Sequence, residues 1–158
     1  MTMTDRAFTL ERTFAASPEA VYSAWTKPTQ LDWFFSGAPG VTEPTTVDLR
    51  EGGQWRQHMV IPGGDTYVTG GVYVELVPFK TIVFVWGAVG GWPDLDLARL
   101  DNAPRATIEL RATGDSTLMT FTLELPAHWS DDEVRAALAT GRRDGWSTTI
   151  DRLAGAIG

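Results

Sequence analysis

The chain has 158 residues, 43% of them hydrophobic, and a formal charge of −7 from 13 basic against 20 acidic side chains. That length suits one globular domain over residues 1–158 with a core of its own. The acidic balance argues against a nucleic-acid partner, since phosphate binding needs a basic face and the only basic doublet is Arg142-Arg143, and the absence of cysteine removes disulfides, thiolate catalysis and thiolate metal sites together.

At the start, Met1-Thr2-Met3-Thr4-Asp5-Arg6 has no basic region followed by an apolar run, and no later segment is apolar enough to span a bilayer; a soluble, cytoplasmic protein without a membrane partner is expected. Phe8, Leu10, Arg12 and Phe14 then alternate with Thr9, Glu11 and Thr13, the period of a first strand. Ser17 is a good N-cap with Pro18 behind it, and Val21, Tyr22 and Trp25 recur at helical spacing until Pro28 interrupts. A short second helix is expected to carry Leu31, Trp33, Phe34 and Phe35. From Val41 to Leu125 the pattern is of strands bounded by Gly and Pro, at roughly 43–50, 53–61, 66–77, 80–87, 104–113 and 116–125. Gly52 and Gly53 supply the positive φ that a tight turn between the first two requires, with Asp48 and Arg50 fixing the hairpin. In the last strand Met119, Phe121, Leu123 and Leu125 face one way and Thr120, Thr122 and Glu124 the other, as in an antiparallel sheet with one buried face. Ser130 to Glu133 is a capping box, after which Val134, Leu138, Gly141, Gly145, Ile150, Leu153 and Ile157 predict one long amphipathic helix over about 130–157.

Several of these segments, taken in order, carry a family resemblance. They are Ala16-Ser17-Pro18-Glu19-Ala20-Val21-Tyr22, Ala24-Trp25-Thr26, Asp48 to Trp55, Gly71-Val72-Tyr73-Val74-Glu75 with Pro78, Ile82 to Trp86, Gly141 with Gly145-Trp146, and Asp151-Arg152-Leu153. Together they resemble the activator of heat-shock-chaperone ATPase homologue (AHSA1-like) family, within the START-like (SRPBCC) superfamily that includes the birch pollen allergen. The resemblance implies an α+β helix-grip fold, in which a curved antiparallel sheet wraps a long C-terminal helix, two short helices follow the first strand, and a cavity lies between helix and sheet.

Strand alternation nominates the cavity wall: Trp55, Gln57 and Met59 on one strand, Tyr73 and Glu75 on the next, Phe84 and Trp86, then Met119 and Phe121, facing Trp25, Trp33, Phe34, Trp146 and Ile150. Any one of these aromatics could be plain core, but Gln57, Tyr73 and Glu75 in register with them give the few polar groups that a small-molecule site has. Gly141 and Gly145 each cost about 1 kcal/mol relative to alanine within a helix. Either the helix approaches the sheet closely there, or the missing side chains leave room for a ligand.

No Gly-x-Ser-x-Gly, His-Glu-x-x-His, Gly-x-Gly-x-x-Gly or phosphate-loop lysine pattern is present. His58 and His128 are too isolated to nominate a metal site, so neither a metal nor a cofactor is expected. Glu75 is the candidate acid or base, because an aromatic hollow would raise its pKa; the competing reading pairs it with Arg50, Arg56 or Arg99. Residues 87–103 form a connection that is long and apolar, in which Pro93 to Leu100 could make a turn of helix with Leu97 and Leu100 inward, covering the cavity mouth, joining two subunits as a homodimer, or decorating the rim.

The function expected first is therefore binding of a small apolar or aromatic molecule between helix and sheet. The alternative is a cyclase- or lyase-type enzyme using Glu75 or Tyr73 in the same cavity. A module acting on a chaperone is the weaker alternative, since the chaperone activators carry an additional N-terminal domain and this chain starts directly with its first strand.

Overall fold

The computed structural model describes residues 6–27, 46–60, 66–91, 94–139 and 142–153. Seven strands form a single antiparallel sheet in the order β1-β7-β6-β5-β4-β3-β2. They are β1 (Ala7–Phe14), β2 (Thr46–Val47), β3 (Gln54–Val60), β4 (Thr66–Val77), β5 (Thr81–Trp86), β6 (Arg105–Thr113) and β7 (Ser116–Glu124). From β3 to β7 each strand pairs with its sequence neighbour, and β1 closes the far edge on β7. Helices α1 (Pro18–Thr26), α2 (Asp131–Ala139) and α3 (Arg142–Asp151) complete the α+β architecture.

The element starts follow local chemistry. Ser17 accepts the Ala20 N–H at 3.2 Å, and Pro18 occupies the first turn where no donor is needed. At α2 the capping box forms in full: Glu133 N–H donates to Ser130 Oγ and Ser130 N–H donates to Glu133 Oε1, both at 3.1 Å. Gly52 takes φ +87° in the turn before β3, while Arg50 Nε meets Asp48 Oδ2 at 2.8 Å, so the expected turn and its Asp–Arg brace are both present. The strand ahead of that turn is described at Thr46–Val47 and ends there, because Asp48 to Gly53 is spent on the turn.

The single long C-terminal helix expected from the sequence is described as two shorter ones, α2 ending at Ala139 and α3 beginning at Arg142. Between them lie residues 140–141. Gly141, the proposed short helix with Leu31, Trp33, Phe34 and Phe35, and residues 43–45, 92–93 and 154–157 lie outside the described residues.

The main core is the inner face of the sheet. Phe8, Leu10, Phe84, Ile108, Phe121 and Leu123 point into it, and α1 and α3 cover it through Val21, Trp25, Trp146 and Ile150. Arg12 ties α3 to the β1 edge, donating to Ser147 Oγ at 2.8 Å and pairing with Asp151 at 2.9 Å. Leu125, Val134 and Ala137 form a separate cluster under α2. The outer face holds a third, where Val72 and Val85 are covered by Leu95, Leu100 and Ala103.

Candidate functional site

Ring geometry defines the inner-face site. Trp25 stacks on Phe121 at a centroid distance of 6.1 Å and 10°, and its indole N–H donates to Met119 Sδ at 3.2 Å. Phe121 meets Trp146 at 4.6 Å, Trp146 meets Trp86 edge-on at 5.1 Å, and Trp55 stands edge-on to Phe84 at 5.4 Å. Edge and offset contacts of this kind suit the ring quadrupoles. The Trp55 and Phe84 rings close over Gly71, whose absent Cβ would lie 2.6 Å from Trp55 Nε1 and 2.7 Å from Phe84 Cδ2. Only glycine permits that approach.

Polar groups interrupt the aromatic surface at the β3–β4–β5 end. Gln57 is 1% exposed and lies opposite Thr69 in the ladder, also buried. Thr69 Oγ1 accepts the Trp86 indole N–H at 3.0 Å. Tyr73 follows on the same face of β4, 2% exposed, and burial, with the nearby Tyr22 second, pushes its phenol well above the usual tyrosine range. Among the described residues the Tyr73 hydroxyl has no hydrogen-bond partner. Its backbone is clamped by the glycine turn, with Gly52 N–H donating to Tyr73 O at 2.8 Å and Tyr73 N–H donating to Gly53 O at 2.9 Å.

Ten expected wall residues thus share the inner face: Trp25, Trp55, Gln57, Tyr73, Phe84, Trp86, Met119, Phe121, Trp146 and Ile150. Met59 and Gly145 belong to β3 and α3 as strand and helix positions, without a described side chain, while Trp33, Phe34 and Gly141 fall outside the described residues. Glu75 is a correction. A bulge shifts the β4–β5 register between Tyr73 and Glu75, leaving Val74 unmatched, so Glu75 pairs with Val83 and is exposed, and Leu76 takes the inward place. The bulge is steadied by Glu51, whose carboxylate accepts the Leu76 N–H at 3.4 Å. Arg50 pairs with Asp48, Arg99 with Asp101, and Arg56 donates to the Val89 carbonyl, so none of the three arginines holds Glu75.

Thr69 and Tyr22 were not on the sequence-derived wall. The Thr69 position is legible in the alternation Tyr67, Thr69, Gly71, Tyr73, which continues the inner face two residues at a time. His58 lies on the outer face, half-buried, and His128 bonds Asn102 Oδ1 through Nε2 at 2.9 Å. Among the described residues no group of three His, Asp or Glu side chains could hold a metal, and no helix is long and apolar enough to cross a membrane.

The 87–103 connection also differs from expectation. Leu95 is buried against Val72 and Val85 on the outer face, Leu97 is 50% exposed, and the only helical turn described there is a 3-10 turn at Leu100–Asn102. Val72 and Val85 alternate with Tyr73 and Phe84, so the connection covers the side of the sheet opposite the aromatic site. Its described residues do not cover that site.

A fold of this order, with an aromatic inner face under α1 and α3, defines a helix-grip protein. Over residues 15–158 the sequence matches the family described as Activator of Hsp90 ATPase homolog 1-like protein, and the chain belongs to that family. Solved structures of similar fold include a Nitrosomonas europaea protein at 23% identity, covering 98% of this chain and 96% of that one with a TM-score of 0.75. A Rhizobium loti protein is similar at 24% identity, 95% of each chain and TM-score 0.66. The AHSA1-like protein from Aeromonas hydrophila is similar at 17% identity, 96% and 91% coverage and TM-score 0.66. No curated protein matches the chain.

Proposed function

We propose that the domain binds a small apolar or aromatic molecule between the inner face of the sheet and the helices above it. The observation that carries this reading is the placement of buried polar side chains, Gln57, Thr69 and Tyr73, at one end of a face otherwise made of tryptophan and phenylalanine rings. A surface that is mostly aromatic with a few fixed polar groups is what orients a small ligand. The family name points toward a chaperone, whereas the described chemistry concentrates inside the domain, and the ligand reading is the one it favours.

Of the two groups, Glu75 or Tyr73, that an enzyme in this site was expected to use, Glu75 is exposed and Tyr73 is a buried phenol with a raised pKa, which favours binding over turnover. Tryptophan emission tests it, because Trp25, Trp55, Trp86 and Trp146 all border the site. Titration with 2-isopropenylnaphthalene should quench the emission saturably with one equivalent bound. Absent or non-saturating quenching would contradict the proposal.

A further inference from the structure

The glycine turn and the β4 bulge hold Tyr73 from both sides. Gly52 and Gly53 bond its backbone carbonyl and N–H, and the bulge follows at once with Val74. Bulges of this kind re-aim a side chain beside a functional site. What they fix here is a phenol 2% exposed whose hydroxyl, among the described residues, bonds nothing. An unsatisfied buried hydroxyl is destabilising, and a native core seldom keeps one without a use for it.

We propose that the Tyr73 hydroxyl donates a hydrogen bond to an uncharged acceptor oxygen, a ketone or ester carbonyl, on the apolar molecule that the inner face binds. The inference rests on the binding reading above and adds the polar end of the ligand. Its neutrality follows from the surroundings: the buried polar side chains described are Thr26, Gln57, Thr69 and Thr117, with no cation among them. A carboxylate ligand would lose its hydration with no counter-charge to replace it. The phenol itself keeps its proton, since burial pushes its pKa up, and so remains a donor throughout the physiological range. Two neighbouring indole donors are engaged within the protein, Trp25 Nε1 with Met119 and Trp86 Nε1 with Thr69.

The test compares 2-acetylnaphthalene with 2-isopropenylnaphthalene, which carries a methylene in place of the carbonyl oxygen, on the intact protein and on Tyr73→Phe. The variant removes only the hydroxyl. It should weaken the ketone about five- to tenfold while leaving the alkene within about twofold, the value of one hydrogen bond in a ratio that cancels ligand hydration. The infrared carbonyl stretch of the bound ketone should lie lower in the intact protein than in Tyr73→Phe. If Tyr73→Phe leaves both affinities unchanged, or weakens both equally, and the stretch does not move, the Tyr73 proposal is overturned while the binding reading stands. If the intact protein binds neither compound, both are overturned.

Discussion

An exposed carboxylate with no paired cation can be neutralised with little consequence, and Glu75 is such a group: exposed, on the outer side of the bulge, and held by no arginine among the described residues. Glu75→Gln should therefore leave stability within about 0.5 kcal/mol and leave naphthalene affinity unchanged, as measured by urea unfolding and emission titration. A loss of affinity would return Glu75 to the site. Tyr73 behaves oppositely because its proton is bound more tightly in the folded chain than in the unfolded one. The linkage sign is then fixed: below the unfolded pKa near 10 the contribution is complete, and above it the native state holds the extra proton, so stability falls as pH rises. Tyr22 and Tyr67 shift the same way, again through burial. Urea midpoints measured from pH 9 upward should decline in the parent and decline less steeply in Tyr73→Phe; parallel curves would mean that Tyr73 does not carry the shift.

At the scale of the element, sequence reading succeeds where one local force dominates and misses where a single residue changes the register. The alternation of β7 and the capping box of Ser130 and Glu133 were legible because side-chain period and backbone hydrogen bonding act over a few neighbours. The bulge at Val74 was not, since Val-Tyr-Val-Glu-Leu keeps an ordinary strand composition and the extra residue shows only in the pairing with β5. Half of the Tyr73–Glu75 pair was thereby misplaced. The C-terminal helical period was legible as well, and its described residues fall in α2 and α3, on either side of residues 140–141. The 87–103 connection was recognised as apolar enough to pack, but nothing local distinguishes packing over the inner face from packing on the outer one; the choice is made by Val72 and Val85, which lie outside the segment. Leu95→Ala should cost about 2 kcal/mol or more in stability by opening that outer cluster, with naphthalene affinity and exchange rate unchanged. Faster exchange would mean that the connection guards the aromatic site after all.

Across the whole molecule, one sheet separates two apolar faces with different tasks. The outer face is closed by the chain's own connection through Leu95, Leu100 and Ala103, whereas the inner face gathers the aromatic rings with the buried polar groups under α1 and α3. Most of that inner set was foreseen, since strand period and tryptophan content both point to it; the ladder partners that bring Gln57 opposite Thr69, and the clamp that joins Gly52 and Gly53 to Tyr73, emerge only from the pairing of distant strands. The glycine turn, one of the segments that carry the family resemblance, is thus also the device that fixes Tyr73 in the proposed site. Intermolecular nuclear Overhauser contacts from 2-acetylnaphthalene to the methyl groups of the intact protein test this division most directly. The predicted contacts are to Ile82, Ile108, Met119 and Ile150 of the inner face; contacts confined to Val72, Val85 and Leu95 of the outer face would contradict the account.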